Sequence, residues 1–220
     1  MKIFRFNKNL YPFDKLVASL YDYNLDKLND DLDHTKGTLG KDTNTIWHKI
    51  FYDKLRSGWP ELVKLYKSFI KSEIGPLFIE EEKLIYQKTP GFRVNQPGGK
   101  AVYIPHSDGD KNHLHPVSEI NVYMPLTKSF GNNSIWIESI PGLGDFTPAK
   151  LEFGECLMFY GNQLRHLNHF NNTGVTRCSF DFRVIPPVNY DDSYQLESAT
   201  MSNKFLVGEY YEIIDINKSK

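Results

Sequence analysis

The chain has 220 residues, enough for one domain with a sizeable core and short of requiring a second. Lys and Arg number 26 against 27 Asp and Glu, a formal net charge of -1, so no global field draws the protein to nucleic acid or to an anionic membrane, and the expected partner is a small-molecule substrate. No apolar run approaches the ~18 residues that span a bilayer, the opening MKIFRFNKNLYPFDKL lacks an apolar core followed by a small-residue cleavage site, and the two cysteines, Cys156 and Cys178, sit in strand-like apolar runs; a cytoplasmic protein with reduced, buried thiols is expected.

Phe13, Leu16, Val17, Leu20 and Tyr21 recur at intervals of three and four, which predicts a helix with one buried stripe. NTIWHKIFYDKLRSG predicts a shorter helix. WPELVKLYKSFIKSEIGP repeats the helical pattern with Leu62, Val63, Leu65, Tyr66, Phe69 and Ile70, with Pro60 near its start and Gly75 and Pro76 closing it. From about Glu82 the pattern changes to short period-two runs separated by TPG, QPGGK, FGNN, PGLGD, FGE and GN, which are turn signals. Strands are expected at 84–88, 92–96, 101–105, 119–125, 134–139, 156–160, 164–169 and 175–185. KFLVGEYYEIIDI, in the tail, fits a strand or a helix. The expectation is an α+β chain, mainly β, in one domain: a helical part over 1–80 packed on one sheet of a sandwich or jelly roll over 81–190, then a tail over 191–220.

The stretch IPHSDGDKNHLHPVSEIN concentrates potential metal ligands. A closed zinc site made from His106, Asp108, His113 and His115 does not match structural-zinc spacing, lacks cysteine and leaves no open position for chemistry; His113 and His115 read better as loop residues. His106 and Asp108 differ, because they stand two apart after the apolar run AVYIP, and an extended backbone points both to one face. Two imidazoles and one carboxylate on one face of an octahedral iron leave three positions open, the arrangement of non-heme Fe(II) oxygenases. The missing imidazole is His166 or His169, whose three-residue separation sends them to opposite sides of a strand.

Along the last predicted strand, Arg177, Ser179, Asp181 and Arg183 share one face, opposite Thr176, Cys178, Phe180, Phe182 and Val184. A solvated surface would explain that charge, especially Asp181 and Arg183. Arg177 and Ser179 have a sharper use, since an Arg fork with a hydroxyl is a good carboxylate receptor inside a barrel.

His-Ser-Asp at 106–108, a distal histidine and Arg-Cys-Ser at 177–179 resemble the HxD…H…RxS pattern of the Fe(II)/2-oxoglutarate-dependent dioxygenases, and the interval from His166 to Arg177 resembles the phytanoyl-CoA-hydroxylase-like branch, which selects His166. SDGDKNH, EINVYMPLT, NNSIWIESIPGLGDFTP and GNQLRHLNHFNNTGVTRCSFDFRVIP are similar to the streptomycin-biosynthesis StrG-like members of that superfamily. The resemblance implies a double-stranded β-helix, a jelly roll of the cupin kind, with Fe(II) on His106, Asp108 and His166, 2-oxoglutarate as cosubstrate on Arg177 and Ser179, and O2 as oxidant. It implies an oxidoreductase that releases succinate and CO2 and, most simply, hydroxylates a C–H bond.

Other residues are candidates around such a site. Asn121 shares a strand face with Glu119 and Tyr123, and reaches the cosubstrate or satisfies neighbouring backbone groups. Arg93, Gln96, Asn112, His113 and Arg183 are candidate substrate contacts, with Arg93 equally readable as a surface ion pair. Glu138 reads foremost as a partner for an arginine. The polar inward faces suit a small polar metabolite better than a lipid, and the resemblance to StrG-like proteins implies a sugar, amino sugar or amino-acid derivative. The rival readings are a cupin-type metal-dependent isomerase or dioxygenase that does not use 2-oxoglutarate, and a non-catalytic carbohydrate-binding jelly roll. The oligomeric state is left open.

Overall fold

A computed structural model describes residues 1–29, 45–99, 104–198 and 203–216. Among the described residues the α-helices lie in the first third of the chain, and short 3-10 turns occur further on, at Gly131–Asn133 and Pro187–Asn189. Helix α1 (Phe13–Ala18) follows Pro12 and buries Phe13 and Val17; it is shorter than the sequence pattern, because the chain after Ala18 turns through hydrogen bonds from Leu20 N to Val17 O and from Tyr21 N to Ala18 O. Helix α2 (Ile46–Arg56) starts at a capping box in which the Thr45 hydroxyl accepts from His48 N and the Thr45 N–H donates to His48 Nδ1. Helix α3 (Pro60–Phe69) places proline where a missing N–H costs nothing and runs on through a π turn over Ile70–Ile74. Among the described residues, no helix is long and apolar enough to cross a membrane.

The strands form two antiparallel sheets. In chain order they are β1 (Lys2–Arg5), β2 (Lys83–Gln87), β3 (Gly91–Asn95), β4 (Ile120–Pro125), β5 (Ile135–Ile137), β6 (Thr147–Pro148), β7 (Glu155–Phe159), β8 (His166–Asn168), β9 (Arg177–Ile185) and β10 (Tyr211–Asp215). The seven-stranded sheet has the order β1-β7-β4-β9-β2-β10, and β3 pairs with β9 as well; the three-stranded sheet has the order β6-β5-β8. The predicted strand over 101–105 falls partly on residues outside the described ones; after it, His106 makes an isolated bridge to His166, which attaches the His106 segment to β8.

Two strands lie outside the sequence reading, and a third settles a segment that the sequence left open. Lys2–Arg5 sits in the part expected to be helical, yet pairs with β7 as a short, mostly exposed edge strand ending in charged residues, the usual way an edge is kept from pairing further. Thr147–Pro148 is two residues long, too brief for period-two alternation to show. The ambiguous tail resolves as β10, antiparallel to β2, with Ile213 opposite Ile85.

Strand β9 organises both layers. Cys178, Phe180, Phe182 and Val184 join Val122 and Met124 of β4 in the core beneath the helices, where Phe180 packs edge-on against Phe13 and Phe51 stacks on Phe92 at 4.5 Å. Arg177, Ser179, Asp181 and Arg183 point the other way, and three of these four are buried, with Asp181 intermediate, so this face is not a solvated surface. On the same side of the large sheet, Tyr123, Leu157 and Phe159 pack with Ile137 of the small sheet and with Leu164 and Leu151. Cys156 and Cys178 are free and buried.

Glu138, just after β5, is fully buried and accepts hydrogen bonds from Arg165 N at 2.8 Å, from Arg165 Nη2 at 2.9 Å and from Gly144 N at 3.0 Å. The Arg165 guanidinium holds the Glu138 carboxyl down to about 2. Because the folded-state value lies below the ordinary 4.5, the stabilisation is complete above pH 4.5 and is lost as the pH falls toward 2. Glu138→Gln is therefore expected to lower stability at neutral pH and to flatten the loss between pH 4.5 and 2, as read from denaturant midpoints across a pH series; an acid profile as steep as the wild type's would contradict this.

Candidate metal centre

His106, Asp108 and His166 come together: each offers one donor atom, and these atoms lie within 4.8 Å of one another. The backbone sets this up. His106 and His166 are paired through reciprocal bonds, His106 N to His166 O at 3.2 Å and His166 N to His106 O at 2.9 Å, and Asp108 N donates to Gly161 O at 2.9 Å. The two rings are 4.5 Å apart, centre to centre. Each histidine aims Nδ1 at a carbonyl two residues back, His106 at Ile104 O and His166 at Leu164 O, both at 3.1 Å. A carbonyl only accepts, so Nδ1 carries a proton in both rings, which leaves Nε2 as the nitrogen a cation would take, the outer arrangement typical of metal-binding histidines.

Asp108 is 3 % exposed and its two oxygens have different surroundings. Oδ1 lies 3.3 Å from His166 Nε2, whereas Oδ2 accepts from Asn121 Nδ2 at 2.6 Å and from Arg183 Nη2 at 3.0 Å. Asn121 is in turn held by Gly161 N, which donates to its Oδ1 at 3.1 Å; a Cβ on Gly161 would stand 2.6 Å from the Asn121 amide nitrogen, so only glycine lets the two approach. Burial by itself would raise the Asp108 carboxyl, but Arg183 and His166 outweigh it and hold it well below the usual range. Burial, seconded by His166, pushes His106 down to about 4. Burial also opposes charge on His166, yet the Asp108 carboxylate draws it upward. The donor set is two imidazoles and an ionised carboxylate, and it fits a divalent cation.

The triad opens on a cavity of about 600 Å³ between the sheets, also lined by Tyr52, Arg93, Tyr123, Asn168, Arg177, Ser179, Asp181 and Arg183. Arg177 is 1 % exposed. Its Nε donates to Asn133 O at 2.9 Å, Nη1 to Ser179 Oγ at 2.9 Å and Nη2 to Asn168 Oδ1 at 3.0 Å, and its guanidinium lies 6.0 Å from the centre of the Tyr123 ring. Every acceptor is neutral, and among the described residues no carboxylate pairs with it. Among the described residues, one N–H on each terminal nitrogen has no acceptor.

The remaining predicted residues separate clearly. Arg183 lines the cavity as expected, but its guanidinium spans Asp108 and Asp181, with Nη1 3.2 Å from Asp181 Oδ2. Arg93 also lines the cavity and meets Asp181 Oδ1 at 3.3 Å, so its partner is a half-buried carboxylate of the cavity wall. His113 lines the cavity, stacks on His106 at 4.5 Å and takes Asp110 Oδ1 at 2.8 Å. Asn112 stays on the exposed loop, its N–H bonded to Asp110. Gln96 is buried on another side, donating to Leu28 O, and is absent from the cavity lining. His169 packs edge-on against Trp136 at 4.6 Å. Sequence reasoning missed Tyr52, Asn168, Glu119, Tyr210 and Tyr211 as neighbours of the site. Glu119, fully buried, takes hydrogen bonds from Tyr211 and His115, and its place on the Asn121 face was the one available signal.

Comparison with known proteins places this geometry in context. The streptomycin biosynthesis protein StrG of Streptomyces griseus is 32% identical over 173 residues, which cover 79% of this chain and 78% of StrG. The chain belongs to the StrG family. A scan against protein-family models finds no match. Solved structures that overlap in part with this StrG relative include SnoK, a non-heme alpha-ketoglutarate-dependent carbocyclase from nogalamycin biosynthesis, with a TM-score of 0.47 at 13% identity over 70% of this chain and 72% of SnoK. The non-heme monooxygenase ThoJ, as a nickel complex, overlaps with a TM-score of 0.41 at 12% identity over 86% of this chain and 70% of ThoJ.

His166→Ala is expected to abolish tight Co(II) or Fe(II) binding by this StrG relative, while His169→Ala retains it; titration of the metal-free protein separates them, and the reverse pattern would move the ligand to His169. Gly161→Ala should weaken binding through Asn121 without touching a ligand.

Proposed function

We propose that the protein is an Fe(II)- and 2-oxoglutarate-dependent oxygenase of the phytanoyl-CoA-hydroxylase-like branch, built as a double-stranded β-helix or jelly roll, and that it most simply hydroxylates a C–H bond of a small polar metabolite. The observation that carries this reading is the fully buried Arg177, which has no carboxylate partner among the described residues and lines the same cavity as a His-Asp-His triad. A guanidinium removed from water without an opposite charge costs several kcal/mol, so a fold that keeps one fits an anionic ligand that supplies the charge. A 2-oxoacid with a second carboxylate suits both ends of such a cavity. The name of StrG, a protein of streptomycin biosynthesis, supports a sugar, amino sugar or amino-acid-like substrate.

In this reading, His106, Asp108 and His166 hold Fe(II), and Arg177 with Ser179 holds the distal carboxylate of 2-oxoglutarate. Bound iron and cosubstrate supply O2 activation coupled to oxidative decarboxylation, with succinate and CO2 released. The chain's part is orientation and exclusion of water. Ser179 and Asn168 fix the plane of the Arg177 fork, so the free N–H groups are oriented before the ligand arrives. Tyr123 and Phe159 give the cavity apolar wall between the polar groups. Arg93 and His113, both at the cavity, are the candidate substrate contacts, and the reading places the protein in the cytoplasm.

The cupin-type rival leaves Arg177 without a task, and the carbohydrate-binding rival leaves the triad without one. Anaerobic addition of Fe(II) and then 2-oxoglutarate is expected to produce the weak visible charge-transfer band of a chelated keto acid, with Arg177→Ala weakening 2-oxoglutarate binding more than tenfold and sparing iron binding. Iron uptake with no band would favour the cupin-type enzyme, and band formation untouched by Arg177→Ala would refute the carboxylate role.

A further inference from the structure

Asp108 and Arg183 form a pair whose geometry is more selective than charge neutralisation requires. Asp108 Oδ2 is occupied by Asn121 Nδ2 at 2.6 Å and by Arg183 Nη2 at 3.0 Å, while Oδ1 faces His166 Nε2. Arg183 cannot swing away easily. Its Nη1 is 3.2 Å from Asp181 Oδ2 and 3.5 Å from Gln87 Oε1, and its Nε is 3.8 Å from Glu119 Oε2. Asp181 is held in turn by Arg93, and Glu119 by Tyr211 and His115. The strand register places Asn121 opposite Arg183 across β4 and β9, so the two donors approach the same oxygen from neighbouring strands.

We infer that Arg183 is a positioning residue for the metal site: together with Asn121 it occupies Asp108 Oδ2 and leaves Oδ1 as the single oxygen available to a cation. The inference rests on the metal reading above and assigns Arg183 a task other than substrate contact. A carboxylate free to turn would offer both oxygens and take up an additional coordination position, and the open positions on the cation are the ones the chemistry needs. A planar guanidinium suits this task because its two terminal nitrogens reach two carboxylates, Asp108 and Asp181, at once, which a lysine ammonium on a flexible stem does with less directional control. Groups that orient a ligand in this way typically contribute about 10–100-fold to metal affinity.

The experiment is a titration of the metal-free, full-length protein with Co(II), followed by its visible absorption, for wild type, Arg183→Gln, Arg183→Lys, Asn121→Ala and, as a control, Glu212→Gln. Glu212 pairs with Lys67 and Tyr86 away from the cavity, so its loss reports general destabilisation. Arg183→Gln is expected to weaken Co(II) binding about 10–100-fold and to change the shape of the absorption band, with Arg183→Lys recovering part of the affinity and Glu212→Gln leaving both unchanged. Wild-type affinity and band shape in Arg183→Gln would overturn the inference alone. Wild-type protein that takes up no Co(II), or takes it up equally with His166→Ala, would overturn the metal reading and the inference with it. Should Arg183→Gln fail to fold, Asn121→Ala decides: weaker binding with an altered band supports the assignment, and unaltered binding refutes it. An equal loss in Glu212→Gln would reduce the effect to stability and also refute it.

Discussion

Strand β9 is buried on both sides, and the rest of the molecule is arranged around what that requires. Its apolar residues, Cys178, Phe180, Phe182 and Val184, need a hydrophobic cover, which the helices supply. Its polar residues, Arg177, Ser179, Asp181 and Arg183, need partners, because a buried charge without one is strongly unfavourable. Period-two alternation makes both demands fall on one nine-residue strand. The helices therefore do more than add mass: by covering one face they leave the other to line the cavity that holds the triad.

Within that cavity the charges form a connected set. Arg93 meets Asp181, Asp181 meets Arg183, and Arg183 meets Asp108, which is the carboxylate of the triad. Each of these four groups has an opposite charge beside it. Arg177 stands apart, with neutral acceptors alone among the described residues. The proposed carboxylate role of Arg177 rests on this contrast with Arg183, because an unpaired buried guanidinium is costly. The triad and Arg177 line one cavity.

Much of this was legible in the sequence. Alternation along 175–185 separates the two faces of β9, and His106 and Asp108, two apart after an apolar run, read as same-face ligands. His166 over His169 needed the resemblance to the dioxygenases, since spacing alone says that the two diverge. Asn121 was read as meeting cosubstrate or neighbouring backbone groups, and it does accept from Gly161 N, forty residues away in sequence; its hold on Asp108 Oδ2 was not legible. Arg183 read as a substrate contact because sequence shows its face and not its partner; the pairing with Asp108 spans 75 residues. Strand β1 was hidden by its brevity, and β10 because YEIID carries no period that excludes a helix.

The central claim is that one cavity holds a metal at His106, Asp108 and His166 and a carboxylate at Arg177. A crystal structure of the protein grown anaerobically with Mn(II) and 2-oxoglutarate tests it most directly. The account predicts a cation bound by Nε2 of both histidines and Oδ1 of Asp108, with a carboxylate of 2-oxoglutarate against the Arg177 guanidinium. A cation held by other residues, or 2-oxoglutarate bound away from Arg177, would contradict it.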